Sequence, residues 1–166
     1  VRVAWDDYES ALRSGHRYTA GVSLSQPLTD RVRLFGALAH NERYGESAVF
    51  INRDNAVRIN LDYALAPRQT LYLGGEYRRG DVVSGTSNPT LEDLNIAKVF
   101  VRDDAFPGQF FSYKFDGATV ITTLGYNLGL GSRDSLDFSW RRIESTPDQR
   151  PFFATSPSSY IVNQYS

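Results

Sequence analysis

Val57-Arg58-Ile59-Asn60-Leu61-Asp62-Tyr63-Ala64-Leu65 is the stretch on which the fold turns. Val57, Ile59, Leu61, Tyr63 and Leu65 share one parity, and Arg58, Asn60, Asp62 and Ala64 share the other. A helix would scatter these apolar residues around its circumference, whereas a strand puts all of them on one face. The reading is therefore a β-strand with an apolar side and a polar side.

The same period recurs outward in both directions. Tyr18, Ala20, Val22 and Leu24 alternate with Thr19, Gly21, Ser23 and Ser25, and Val32, Leu34, Gly36 and Leu38 with Arg33, Phe35, Ala37 and Ala39. Further segments are Leu71–Tyr77, Val120–Leu128, Leu136–Trp140, Val1–Trp5 and, less clearly sided, Tyr160–Tyr165. That makes about eight strands. Short connections with turn chemistry lie at Gln26–Asp30, Ala66–Gln69 and Gly131–Asp134. Longer ones lie between them at Glu9–His16, Gly45–Asp54, Gly80–Gly117 and Glu144–Ser158. The whole chain, 1–166, reads as a single domain.

Composition narrows the class. Aromatic residues are 13% of the 166 residues, too many for a disordered chain. Net charge is −1, so no field directs the chain to nucleic acid, and the absence of Cys excludes disulfides and thiolate chemistry. No apolar run reaches the roughly 18 residues of a membrane helix, a test that alternating strands escape. Sixteen Arg against two Lys, Lys98 and Lys114, suggest polar positions not simply facing bulk water.

Three features predict that the apolar face meets lipid. The polar face is rich in small residues (Gly21, Ser23, Ser25, Ala37, Ala39, Gly74, Gly125 and Gly129), as a crowded barrel interior requires. Aromatics of the apolar face gather toward strand ends, Trp5, Tyr18, Tyr77 and Trp140 on the loop side and Tyr63 and Tyr126 on the turn side. Charge is essentially absent from that face within the strands. A soluble ligand-binding barrel with the apolar face inward is the competing expectation.

In these patterns the chain resembles the bacterial outer-membrane β-barrel class. The resemblance covers nearly the whole chain and implies an antiparallel, up-and-down transmembrane barrel of about eight strands, or a fragment of a larger one. It also implies an outer-membrane location, contact with outer-membrane lipid and loops that meet an extracellular ligand or protein. The closing Asn163-Gln164-Tyr165-Ser166 departs from the terminal aromatic usual in the class, so a trimmed chain or part of a larger barrel is expected.

Candidate chemistry follows from the same parity. Arg33, Arg58, Asp62, Glu76, Arg78, Asp137 and Arg141, together with Arg2 and Asp6, share the inward parity and are expected to form a closed network of Arg–carboxylate pairs, because unpaired charges in a narrow interior are costly. A water-filled pore within a larger barrel is the alternative. His40 with Glu42 is the one candidate for a catalytic base in a lipid-modifying enzyme. Its expected cross-strand neighbour is Tyr18 rather than a serine, so a rim histidine is the simpler reading and no enzyme is expected. Asp6-Asp7 and Asp103-Asp104 are read as solvated loop acids rather than a calcium shell, so neither metal nor cofactor is expected. Phe106, Phe110, Phe111 and Tyr113, in the longest loop, are the candidates for recognition or for a lid over the mouth.

Overall fold

In the computed structural model the opening stretch lies within strand β4 (Asn52–Ala66). The structure describes residues 1–6, 13–106, 108–130, 134–148 and 159–166. The expectations for Asp7, for most of the Glu9–His16 loop, for Gly131-Ser132-Arg133 and for residues 149–158 lie outside the described residues.

In chain order the other elements are β1 (Arg2–Asp6), β2 (Gly15–Pro27), β3 (Val32–Gly45), β5 (Gln69–Thr86), α1 (Leu91–Ile96), β6 (Val99–Arg102), β7 (Phe111–Gly129), β8 (Ser135–Pro147) and β9 (Tyr160–Tyr165). They form one antiparallel sheet of nine strands in the order β1-β2-β3-β4-β5-β7-β8-β9, with β6 on the side of β7. The up-and-down all-β architecture agrees with the alternation. Closure does not: β1 and β9 are edges, and each pairs only with the loop-side half of its neighbour, Gly15–Thr19 of β2 and Trp140–Ser145 of β8. Alternation specifies which face a residue takes, not how the outermost strands find partners.

Register follows the period of two. Ile59 stands between Gly36 and Gly75, and Leu61 between Leu34 and Leu73. One face, here the aliphatic face, thus collects Val22, Leu24, Leu38, Val57, Ile59, Leu61, Tyr63, Leu71, Leu73, Val120, Leu124, Leu136 and Phe138, all exposed. From Val57 to Leu65 it runs about 27 Å along the strand. The other, the polar face, holds Arg58, Asn60, Asp62, Tyr72, Glu76, Thr123, Asp137 and Arg141. Gly125 lies on this face beneath the Tyr72 ring; a Cβ there would sit 2.1 Å from Tyr72 Cζ, so only glycine lets the tyrosine cross to β8.

The longest connection is shorter than its Gly80–Gly117 bounds suggest. β5 and β7 continue into it as a paired hairpin as far as Thr86 and Phe111. Ser84, Gly85 and Thr86 are strand residues. Ile96–Val101 is divided between the end of α1 and the start of β6. Gly80, at φ +148°, marks the last residue of β5 that pairs with β4, and an added Cβ would lie 2.2 Å from the Arg53 carbonyl oxygen. There the hairpin extends beyond its pairing with β4.

Buried side chains concentrate on this extension. Ile96, Tyr113 and Phe115 form a core with Val82, Ala97, Phe100 and Tyr160 around it. Val49 and Phe50, from the β3–β4 connection, are also buried. Below the extension, the sheet buries only Ala56 and Ile121 among its described hydrophobics, both on the polar face.

Candidate functional site

The loop-side platform is built on alternate residues of the β7 extension. Tyr113 and Phe115 have the parity of the polar face, and Ser112 and Lys114 that of the aliphatic face, so the extension is covered on both sides.

On the first side Thr90 starts α1. Its hydroxyl accepts from the Asp93 backbone N–H at 3.2 Å, and its backbone N–H donates to the Asp93 carboxylate at 2.9 Å, a reciprocal cap. The same carboxylate accepts from the hydroxyls of Tyr113 at 2.6 Å and Tyr160 at 3.1 Å. Burial of Asp93 works to raise its pKa, but the hydrogen bonds from Tyr113, Thr90 and Tyr160 outweigh it and hold the carboxyl below its ordinary value. One buried anion therefore joins α1, β7 and the edge strand β9.

On the second side Asp103 is 1% exposed. It accepts from Arg13 Nε at 3.2 Å, Ser112 Oγ at 2.6 Å and the Ala105 N–H at 3.1 Å. Burial again pushes its carboxyl up, and these partners, Arg13 foremost, bring it below the ordinary value. The Arg13 guanidinium lies 5.2 Å from the Phe50 ring centre and 4.9 Å from that of Phe106. Lys114 Nζ donates to the carbonyls of Ala48 and Ile51 at 2.9 and 2.6 Å, which ties the β3–β4 connection down.

The four aromatic recognition candidates divide accordingly. Phe106 and Phe110 pack together at 4.4 Å beside Arg13, and Phe106 is 44% exposed. Phe111 stacks on Phe100 at 5.2 Å. Tyr113 is buried, so it packs the platform and offers no surface; an aromatic in a long loop does not reveal whether an anion waits beneath it.

The polar face brings part of the expected network together. Arg58 Nε donates to Glu76 Oε2 at 2.7 Å, and Arg78 binds the other oxygen. Tyr72 donates to Asp137 at 2.8 Å. Thr19, Asn41 and Asp54 form a chain across β2, β3 and β4 with both bonds at 2.9 Å. Arg33 and Asp62 are cross-strand partners in register, yet neither they nor Arg141 makes an ion pair within 4.0 Å among the described residues. Asp62 and Arg141 instead line a cleft of about 390 Å³ with Arg58, Asn60, Tyr72 and Glu76.

His40 faces the aliphatic side. Its neighbour on β2 is Ala20, not Tyr18, which pairs with Glu42. The ring binds Asn55 Oδ1 at 2.9 Å and Glu42 Oε1 at 3.4 Å, and Glu42 is held by Tyr44 at 2.7 Å and Arg53 at 3.2 Å. Among the described residues no serine hydroxyl bonds to His40.

Sequence reading missed Arg13, Asp93 and Tyr160. Thr90-x-x-Asp93 was a legible signal, since that spacing opens capped helices. Arg13 and Tyr160 carry no local signal, because their partners lie 90 and 67 residues away. Compared with known proteins, the chain matches no family model, no curated protein and no solved structure.

Proposed function

We propose that this chain is the wall of a bacterial outer-membrane β-barrel, its edge strands closed with each other or with further strands, and that the loop-side platform makes contacts outside the cell. One observation carries this reading. On the aliphatic face no Asp, Glu, Lys or Arg occurs within Ala20–Leu24, Val32–His40, Asn55–Leu65, Leu71–Tyr77, Ala118–Leu128 or Leu136–Trp140, while the opposite face of the same strands is charged. Soluble monomers rarely expose so large an apolar surface. Lipid demands it, and demands closure too, because unpaired strand edges are not tolerated in hydrocarbon.

The limit of the band supports the same reading. On its loop side the aliphatic-face positions become ion pairs: Arg53 with Glu42 at 3.2 Å, Arg79 with Asp148 at 3.0 Å, Arg142 with Glu144 at 3.0 Å, and Lys98 with Asp81 and Asp116. On β3, β4, β5 and β7 these charges start where the aliphatic side chains stop, whereas on β8 Arg142 and Glu144 stand in register with Thr122 and Val120, so a membrane–water boundary drawn through them crosses the strands obliquely, as it does in a barrel of tilted strands. The strands also have the length, since β2, β3, β4 and β8 run 13–15 residues against the 9–11 that a spanning strand needs.

A conducting role is the second reading. It is favoured by polar clefts that follow one another along the polar face, joined through Ile121 and Asp62. Against it, α1 packs over the loop end of that face.

The absence of Cys offers a direct test. Ile59→Cys and Asn60→Cys, each carrying a fluorophore in a reconstituted bilayer, report adjacent positions on opposite faces. A lipid-borne quencher is expected to act on position 59 and a water-soluble one on position 60. Equal access of the water-soluble quencher to both overturns the membrane reading.

A further inference from the structure

A cleft of about 560 Å³ opens beside the loop-side edge of the aliphatic band, lined by Trp5, Ser14, Gly15, His16, Tyr44, Gly45 and Glu46. Three of its walls are rings from three strands. His16 is stacked on Tyr44 at 5.3 Å and tilted against Trp5 at 5.2 Å. Tyr18 closes the group from below, 5.2 Å from His16 and 5.9 Å from Tyr44. All four rings have aliphatic-face parity. Trp5 is 79% exposed, so an indole face stands free.

We propose that this cleft seats the sugar head of an uncharged glycolipid whose acyl chains lie on the aliphatic face below it. The inference rests on the membrane reading above. Its chemistry comes from three features. Flat rings around a small number of polar groups suit a sugar, whose C–H faces stack on aromatics while its hydroxyls seek acceptors. The rim supplies acceptors: Glu46 is an exposed carboxylate, and no Lys or Arg is among the described lining residues. A phosphate placed there would meet Glu46 and be repelled, so the charge favours a neutral polyol over an anionic head. The source is fixed by continuity along β1 and β2: Trp5 is followed on the same face by Val3 and Val1, and His16 by Tyr18, Ala20 and Val22, so on these two strands the rings lead into the exposed aliphatic band, while on β3 Glu42 and His40 stand between Tyr44 and Leu38. A ligand with a sugar at one end and hydrocarbon at the other covers both.

Trp5 and Trp140 are the only tryptophans, so Trp140→Phe leaves Trp5 as a reporter within the cleft. That protein is placed in nanodiscs of phosphatidylcholine alone, with added monohexosyl diacylglycerol, or with added phosphatidylglycerol, and Trp5 emission is followed. A saturable change with the hexosyl lipid only is expected. Tyr44→Ala should abolish it, and Glu46→Gln, on an exposed residue whose replacement spares the fold, should weaken the apparent affinity about tenfold, as losing one charged hydrogen bond does. Insertion without any sugar-dependent change overturns the cleft assignment and leaves the membrane reading standing. The same response to phosphatidylglycerol overturns the choice of a neutral head. A response to free hexose without lipid overturns the lipid source. Failure to insert at all removes the membrane reading and this inference with it.

Discussion

Ile59 and Asn60 are separated by one peptide bond and stand on opposite sides of the sheet, and the energetics of each depend on what lies on its side. Ile59 is 55% exposed. In water Ile59→Arg would be close to neutral, within about 0.5 kcal/mol. Facing the middle of a bilayer it should cost about 2–4 kcal/mol, read from denaturant unfolding in lipid vesicles; a neutral result there would contradict the proposed wall. Asp103 is the opposite case, an anion whose environment is wholly protein. Asp103→Asn removes the charge that Arg13 and Ser112 address. Because the Arg13 side chain retains 27% exposure and can recover some water, the loss should be about 2 kcal/mol rather than the 3–5 of a fully buried pair. It should be visible as freed Phe50 and Phe106 rings in near-ultraviolet circular dichroism.

At the scale of elements, the hairpin of β5 and β7 separates wall from platform. Removing Val82–Ser112 would cut into both strands of the hairpin. Thr86 and Phe111 are paired in register, so Ser87–Phe110 can instead be replaced by Asn-Gly, which closes a two-residue hairpin. The strand signal in far-ultraviolet circular dichroism should survive this replacement. Protection of Arg13 and Phe50 should not, because Asp103 and Phe106 leave with the segment. Loss of the strand signal would show that the platform holds the wall together. The platform also carries the acid sensitivity. Asp93 and Asp103 both have folded pKa values below the ordinary 3.8, so they stabilise the folded form while ionised. That contribution is fully present above the unfolded value and is lost as pH falls through the lower folded values. Tyrosine signals from Tyr113 and Tyr160 should therefore melt on acidification below about pH 4, ahead of the wall strands; retention of those signals in stronger acid would contradict the anionic cap.

For the whole molecule, the balance of buried and exposed surface is inverted relative to a water-soluble β-protein. Its aliphatic side chains are exposed on one face of the sheet, and its close packing lies at one end. Purified without detergent or lipid, the chain should aggregate; a monodisperse, detergent-free monomer would mean that the aliphatic face has another cover. Much of this was legible in residue order. Parity in Val57–Leu65 and its counterparts located the strands other than β6 and assigned the face of each but β9, because side-chain direction in a strand depends only on position along the chain. The same parity marked Arg58, Glu76 and Arg78 as companions on one face. Residue order did not reveal that α1 interrupts the long connection, that Tyr113 is buried, that Arg33 and Arg141 find no carboxylate among the described residues, or that the sheet stands open between β1 and β9. Each of these depends on contacts between residues far apart in the chain, such as Tyr113 and Tyr160 converging on Asp93. Alternation is a local property of the backbone, whereas closure, burial and pairing are settled only when distant segments compete for the same neighbours.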